Sequence, residues 1–405
     1  MRREAIVRRA AIVSPLRTAV GGFGGALKSL KVEDLGTTII KALVERSGID
    51  PERIDDVVFG HAYGSGEAPA LGRWCALNAG LPITVAGMEM ERRCGSGLMA
   101  ISTAAMMVQT GAADVVIAGG AESMSNAEFY SMNSRWGSRM GSITLYDRLE
   151  RGRVRSQPEW RFGVIQSMME TADNVARDYE ITREEADAYA LSSQQRAAAA
   201  WADGKFAAEL VPVEVPQGKK GPPIAFDRDE GIRADTTLDG LAKLRPVHAG
   251  GVTTAGNSSQ QNDAASACLV VAEDKLAELK LDPKAFFVNW AVAGCEPSRM
   301  GIGPVPATEK LFRKTGHSLN EMDLVEVNEA FAAQVLGVLK AWNWHDPDKL
   351  NVNGSGISLG HPIGATGGRI LATMLNELER RKGRYALETM CIGGGQGIAA
   401  LFERA

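Results

Sequence analysis

Apolar residues in this chain fall into short unbroken runs, separated by longer stretches with helical period. The runs at 10–13, 56–60, 114–120, 266–271 and 286–293 are continuous rather than alternating, as in strands buried on both faces. Helical stretches lie at 32–47, 98–110, 330–340 and 368–381. Glu33 and Asp34 stand in the first turn of 32–47, Gly48 follows its last turn, and Gly111 closes 98–110. A strand at 323–329 leads directly into 330–340. Strands alternating with helices predict an α/β fold on a mostly parallel sheet.

Between about 123 and 259 this pattern breaks. Residues 135–155 are rich in Arg, Gly and Ser with weak periodicity, and 170–179 reads as a helix. Thr182-Arg183-Glu184-Glu185 is a capping box that opens an alanine-rich helix to about 204. Residues 210–216, with Pro212 and Pro216, read as an edge strand, and 217–223 as a loop. The block reads as an insertion. Residues 17–27 form a glycine-rich loop; its Gly21-Gly22-Phe23-Gly24-Gly25 resembles a phosphate loop only weakly, because no helix with a lysine follows.

The pattern occurs twice. A glycine-rich segment with Cys94 opens an apolar helix, Gly111 ends it, and a strand runs to Gly119. A second such segment with His361 opens 368–381, Gly383 follows, and a strand at 384–390 runs into Cys391. Residues 55–61 likewise parallel 323–329. Two similar α/β halves are expected to pack together. Ligands on such sheets gather at helix N-termini and strand C-terminal ends. Cys94, Asn328, His361 and Cys391 all fall at such ends, which places them in one site.

Composition narrows the chemistry. The 405 residues suffice for two or three domains. Charged residues at 23% and a net charge of -4 offer no broad basic field for nucleic acid, so an anionic substrate needs local positive charge. Cys75, Cys94, Cys268, Cys295 and Cys391 are an odd number without a CxxC pair, which speaks against a disulfide framework or zinc site and for a reducing compartment. The basic N-terminus lacks an apolar core, so no signal peptide is read. No apolar run reaches the roughly 18 residues of a membrane span. A cytoplasmic enzyme that binds neither nucleic acid nor membrane is expected.

Cys94 precedes two glycines at a helix start, where free N–H groups and the helix dipole favour a thiolate. A lone cysteine is more often a small core residue. What raises Cys94 above that reading is the pair of ordered motifs near the other end of the chain, Gly360-His361-Pro362-Ile363-Gly364-Ala365-Thr366-Gly367 and Cys391-Ile392-Gly393-Gly394-Gly395. A thiolate accepts an acyl group, and a histidine within reach activates it. A second thiol can move a proton at carbon, and backbone amides can hold an oxyanion. Such a set suits making or breaking a carbon–carbon bond between thioesters. Cys75, Cys268 and Cys295 read as structural, and 151–155 as a solvated or subunit-contact segment.

Together with Arg17-Thr18-Ala19-Val20-Gly21, these motifs resemble the thiolase family, the acetyl-CoA C-acyltransferases, over essentially the whole chain. The resemblance implies two βαβαβαββ halves packed as a layered α/β sandwich with an inserted loop domain. The halves would be 1–122, continuing at 260–281, and 282–405, with the insertion at 123–259. It implies Cys94 as the acylated nucleophile and His361 as its activator. Asn328 would hold a water in one oxyanion hole, and Cys391 would be the acid/base at the α-carbon. The Cys94 and Gly393 amides would form a second oxyanion hole. Ser259 would contact pantetheine, Arg233 a phosphate or the adenine side, and Met168 and Met300 the acyl group. Acyl-CoA and coenzyme A are the implied partners, in a homodimer or homotetramer, with no metal and no cofactor beyond CoA as substrate and product.

Ser167-Met168-Met169 stands where many short-chain thiolases carry His-Met-Gly, His248 where they carry Phe, and Gln260 where Gly is usual. The run 167–174 is closer to thiolases that handle 3-oxoadipyl-CoA. Two rivals are a ketoacyl-synthase-like condensing enzyme, which needs no Cys391, and a non-catalytic acyl-CoA-binding relative, which would have lost one of the four polar positions.

Overall fold

The computed structural model describes residues 8–218 and 221–405. Residues 1–7, the stretch read as lacking a signal peptide, and 219–220 of the expected loop 217–223 lie outside the described residues. No helix among the described residues is long and apolar enough to cross a membrane.

Nine strands make one continuous path. They are β1 (Ala10–Thr18), β2 (Asp56–Gly60), β3 (Ala86–Met90), β4 (Val115–Ser123), β5 (Asn262–Ala272), β6 (Ala285–Gly294), β7 (Leu324–Val327), β8 (Tyr385–Ile392) and β9 (Gln396–Arg404). Their order is β7-β8-β9-β6-β1-β5-β4-β2-β3. The path is a repeat about its centre. β2 and β4 are parallel, with β5 and then β1 added antiparallel. β7 and β8 are parallel, with β9 and then β6 added antiparallel. β1 and β6 join the two sets antiparallel through Ala10 to Ile12. Leu350 bridges Val325 on the outer side of β7, as β3 flanks β2.

Eight helices position the site: α1 (Val32–Ser47), α2 (Leu71–Asn78), α3 (Ser96–Gln109), α4 (Met168–Asp178), α5 (Arg183–Ala202), α6 (Pro304–Thr315), α7 (Ala332–Trp342) and α8 (Thr366–Arg380). α3 and α8 form the middle layer. Leu98, Ile101 and Val108 of α3 share one core with Ile370, Met374 and Leu378 of α8 and with strands of both halves. Strand periodicity divides each sheet between two cores. In β5, Cys268 and Val270 face α3 and α8, while Leu269 and Val271 face α1 and α2. In β9, Ile398, Ala400 and Phe402 face the middle, while Ala399 and Leu401 face α6 and α7. Each fully buried Val, Leu, Ile, Met or Phe among them contributes about 1.5–3 kcal/mol. The result is α/β/α/β/α layering of two similar halves, but the sheet is not the mostly parallel one expected: five of the eight pairings along the path are antiparallel, because β5, β1, β6 and β9 are added by antiparallel pairing to the parallel strands of each half.

Several elements differ from their sequence reading. β1 runs on through Arg17 and Thr18, which were read as loop. A bulge follows Val13, Ser14 takes φ of 47°, and Arg17 is buried on Glu209 and Asp229. The supposed phosphate loop already holds an anion of its own chain, because the Gly22 and Ala26 amides donate to Glu230. The segment 210–216 splits at Pro212, whose missing N–H breaks the ladder. Leu210–Val211 extends beside β1, and Val213–Val215 pairs with Ile224–Phe226. α6 escapes a reading from pattern because Pro304 and Pro306 look like breakers, yet the first helical turn needs no donors there.

Candidate active site

The crossing of α3 and α8 builds the site. Their N-termini meet through glycine: a Cβ on Gly367 would lie 2.1 Å from the Leu98 amide nitrogen, and one on Gly97 would lie 2.8 Å from the Gly364 carbonyl oxygen. Backbone therefore rests on backbone, and the residues just ahead of each helix, Cys94 and His361, open into one cavity of about 440 Å³. Arg93 holds φ of 46°, a left-handed conformation unusual for arginine, and turns the chain at the cysteine.

His361 is fixed from three sides. Its amide donates to Asn262 Oδ1 (2.8 Å), and Nδ1 meets Thr366 Oγ1 at 2.7 Å. Asn328 Nδ2 stands 3.4 and 3.5 Å from the two ring nitrogens, so the amide lies over the ring. Asn328 Oδ1 is buried without a partner among the described residues, a group that calls for a hydrogen-bond donor. Burial, with the Arg369 charge behind it, holds His361 down to about 3, so the imidazole rests neutral and becomes a base only as negative charge develops beside it.

The thiolate expected at Cys94 is not the resting form. Burial pushes its thiol up to about 11, and this outweighs the Gly393 and Cys94 amides and the Arg93 charge, which pull the other way. The helix-end contribution is worth about 1 kcal/mol, less than the cost of enclosing a charged sulfur. Cys391 is fully buried and packs on Met300 and Phe331, which line the cavity. Burial first, then the closeness of the Cys94 and Cys295 sulfurs, holds its thiol well above the usual range.

Gly393, Ser259, Met168 and Met300 line the cavity beside Cys94 and His361. Asn328 and Cys391 stand behind its wall. Arg233 does not reach it; it lines an adjoining cavity of about 310 Å³ that shares Ala255, Ser258 and Gln260 with the first. Ser167 and His248 touch, Oγ to Nε2 at 2.7 Å. Cys295 sits at the margin, its amide donating to the Gly395 carbonyl.

Other supporting residues were not singled out from the sequence. Glu122 accepts from the amides of Ala62, Tyr63 and Gly364, tying the Tyr63 wall to the His361 loop, and His61 Nε2 lies 3.4 Å from it. Glu329 accepts from Tyr189, Ser193, Asn351 and the Ile357 amide, fixing the chain after Asn328. Glu122 has no local motif, because its partners are distant in sequence; Glu329 stands in the Asn328-Glu329-Ala330-Phe331 stretch, but its partners do not. The segment 151–155, read as solvated or a subunit contact, instead places Gly152 and Arg153 in the cavity wall. The need for local positive charge in an acidic chain was the available signal.

Two facing helix N-termini, presenting a thiol and a neutral imidazole between paired sheets, define an acyl-transfer enzyme on a duplicated α/β scaffold. The thiolase N-terminal domain profile matches residues 10–274 and the thiolase C-terminal domain profile residues 281–404. The chain belongs to the thiolase family. It is 49% identical to an acetyl-CoA acetyltransferase of Chromobacterium violaceum, over 97% of this chain and 99% of that one. It is 45% identical to the beta-ketothiolase BktB of Cupriavidus necator, over 98% and 100%. The crystal structure of the Bacillus anthracis acetyl-CoA acetyltransferase superposes with a TM-score of 0.94 at 39% identity, covering 99% of this chain and 100% of that one. Human mitochondrial 3-ketoacyl-CoA thiolase in complex with CoA superposes at 0.91 with 41% identity, covering 99% of each chain.

Proposed function

We propose that the enzyme passes an acyl group between Cys94 and coenzyme A. It cleaves a 3-oxoacyl-CoA to acetyl-CoA and a shortened acyl-CoA, or runs the reverse Claisen condensation. The observation that carries this reading is the convergence of the Cys94 thiol, the neutral His361 and the unpartnered Asn328 oxygen around one cavity.

In the cleavage direction His361 takes the Cys94 proton as sulfur attacks the C3 keto carbon. The resulting oxyanion faces the Gly393 and Cys94 amides. The C2–C3 bond breaks, leaving the acyl group on Cys94 and an enolate on the departing acetyl-CoA. His361 and a water on Asn328 hold the enolate oxygen, and the Cys391 thiol gives C2 its proton. Once acylated, Cys94 can no longer carry a negative charge beside Cys391. The Cys391 thiolate then takes the proton of an entering CoA thiol. The CoA sulfur attacks the acyl carbon, and Cys94 leaves with the proton held by His361. No metal or redox cofactor has a role in these steps. Ser259 receives the pantetheine arm, Met168 and Met300 border the acyl group, and Arg233 meets a phosphate or the adenine side.

Thiolysis in the cytoplasm is the proposed setting; five free cysteines suit a reducing compartment. A homodimer or homotetramer is proposed from two surfaces: the outer edge of β3 with the exposed Ile83 beside it, and the Arg-, Gly- and Ser-rich segment that exposes Trp136 and Met140. The test is CoA-dependent cleavage of acetoacetyl-CoA, 3-oxohexanoyl-CoA and 3-oxoadipyl-CoA by the wild type and Cys94→Ala. Cleavage by the wild type, with a loss of at least about a thousandfold in Cys94→Ala, is expected. CoA binding without turnover by the wild type would sink the reading.

A further inference from the structure

The wall of the 440 Å³ cavity carries two arginines, Arg93 and Arg153, and no Asp or Glu. Most of the remaining lining near Cys94 is apolar, including Ala62, Met124 and Ile363. Arg153 forms no ion pair or hydrogen bond through its guanidinium among the described residues; its carbonyl accepts from Ser156 and Arg155. Arg93 is held on one side by Glu91, which lies 3.4 Å from Nε. Its far nitrogens stay directed along the cavity wall: a Cβ on Gly152 would come within 3.4 Å of Arg93 Nη1 and 2.7 Å of the Tyr63 ring. Glycine at 152 therefore leaves the space where Arg93 and Tyr63 meet, and the Tyr63 phenol feels both guanidinium charges. Two cations with a phenol in a largely apolar recess are stable together when an anion joins them.

We propose that this end of the cavity binds the terminal carboxylate of the acyl chain, so that the preferred substrates are 3-oxoacyl thioesters of dicarboxylic acids. The inference rests on the acyl-transfer reading above. The anion belongs to the acyl chain and not to CoA, because the junction with the Arg233 cavity is formed by Ala255, Ser258 and Gln260, and neither arginine is among them. The length also fits. Arg93 adjoins Cys94, and its aliphatic stem runs past Gly393, whose Cβ position is 3.9 Å from Arg93 Cγ. A short methylene chain on the Cys94 sulfur, ending in a carboxylate, runs parallel to that stem and ends at the guanidinium.

The test compares two substrates of equal chain length, 3-oxoadipyl-CoA with a terminal carboxylate and 3-oxohexanoyl-CoA without one. The readout is the ratio of their kcat/KM values, which is insensitive to the fraction of enzyme correctly folded. Wild type is expected to favour 3-oxoadipyl-CoA by about tenfold or more. Arg153→Gln is expected to lower that ratio about tenfold to a hundredfold, Arg153→Lys to keep more of it, and Arg93→Gln to lower it also. A wild-type ratio near or below one, with 3-oxohexanoyl-CoA cleaved, overturns this inference and leaves the thiolase reading standing. So does an equal loss on both substrates, or a rise in the KM for CoA with the ratio unchanged, which would assign the arginines to CoA phosphates. Failure to cleave either substrate overturns both.

Discussion

Cys94 and His361 face one cavity uncharged. A thiol raised to about 11 stays protonated further up the pH scale than a free cysteine, and an imidazole lowered to about 3 stays neutral throughout the working range. The proton therefore moves only as the sulfur attacks, not in a resting ion pair. Alkylation of Cys94 by iodoacetamide, followed by mass spectrometry in Cys391→Ser, should accelerate about tenfold per pH unit from about pH 7 to 10 and level off only near 11. A plateau beginning below about pH 7 would mean a preformed thiolate–imidazolium pair and sink this account. The identity of the reacting residues was legible in Cys94, His361 and Cys391 because each sits in a glycine-rich turn of distinctive composition. Their charge states were not legible. Burial decides them, with Met300 and Phe331 packed on Cys391 and the Arg369 charge added at His361, none adjacent in sequence to the group it affects.

At the scale of elements, α3 and α8 each follow from apolar periodicity, and their ends were read to within a few residues. Their crossing was not readable, since Gly97 and Gly367 look like ordinary loop glycines until the two halves are stacked. Gly367→Ala would drive a methyl group into the Leu98 amide. The expected cost is about 1–3 kcal/mol of stability, read from the urea midpoint, with kcat down on the order of a hundredfold as Cys94 and His361 separate. Gly111→Ala is the control. It has open space around it but φ of 74°, so it should lose about 1 kcal/mol with kcat unchanged. Equal kcat in the two variants would refute the claim that this contact sets the site. β3 escaped the sequence reading for a related reason: Ala86-Gly87-Met88-Glu89-Met90 is an edge strand without a fully buried face.

Across the whole molecule, one buried charge cluster ties together three parts of the chain. Arg17 of β1 donates to Glu209 (2.7 Å) and, through both terminal nitrogens, to Asp229 (2.8 and 3.0 Å). Glu209 also accepts from Thr373 of α8 at 2.7 Å, and Asp229 from the Val20 amide at 2.8 Å. The first half, the segment between the two repeats and the central helix of the second half thus share a single network. Sequence alone suggested a loop at Arg17, because a charged residue reads as exposed until its distant partners are known. Removing the cation leaves two enclosed carboxylates facing each other. Arg17→Met is therefore expected to lose about 3–5 kcal/mol or fail to fold. Thr373→Val removes one neutral donor and should cost about 1 kcal/mol while the enzyme stays folded. Arg17 and Thr373 bind the same carboxylate, so their effects should not add, and a double-mutant cycle on urea midpoints should give a coupling of about 0.5–3 kcal/mol. If Arg17→Met does not fold, Thr373→Val still decides the matter: no change in its midpoint would show that the Thr373–Glu209 bond does not hold α8 to this network.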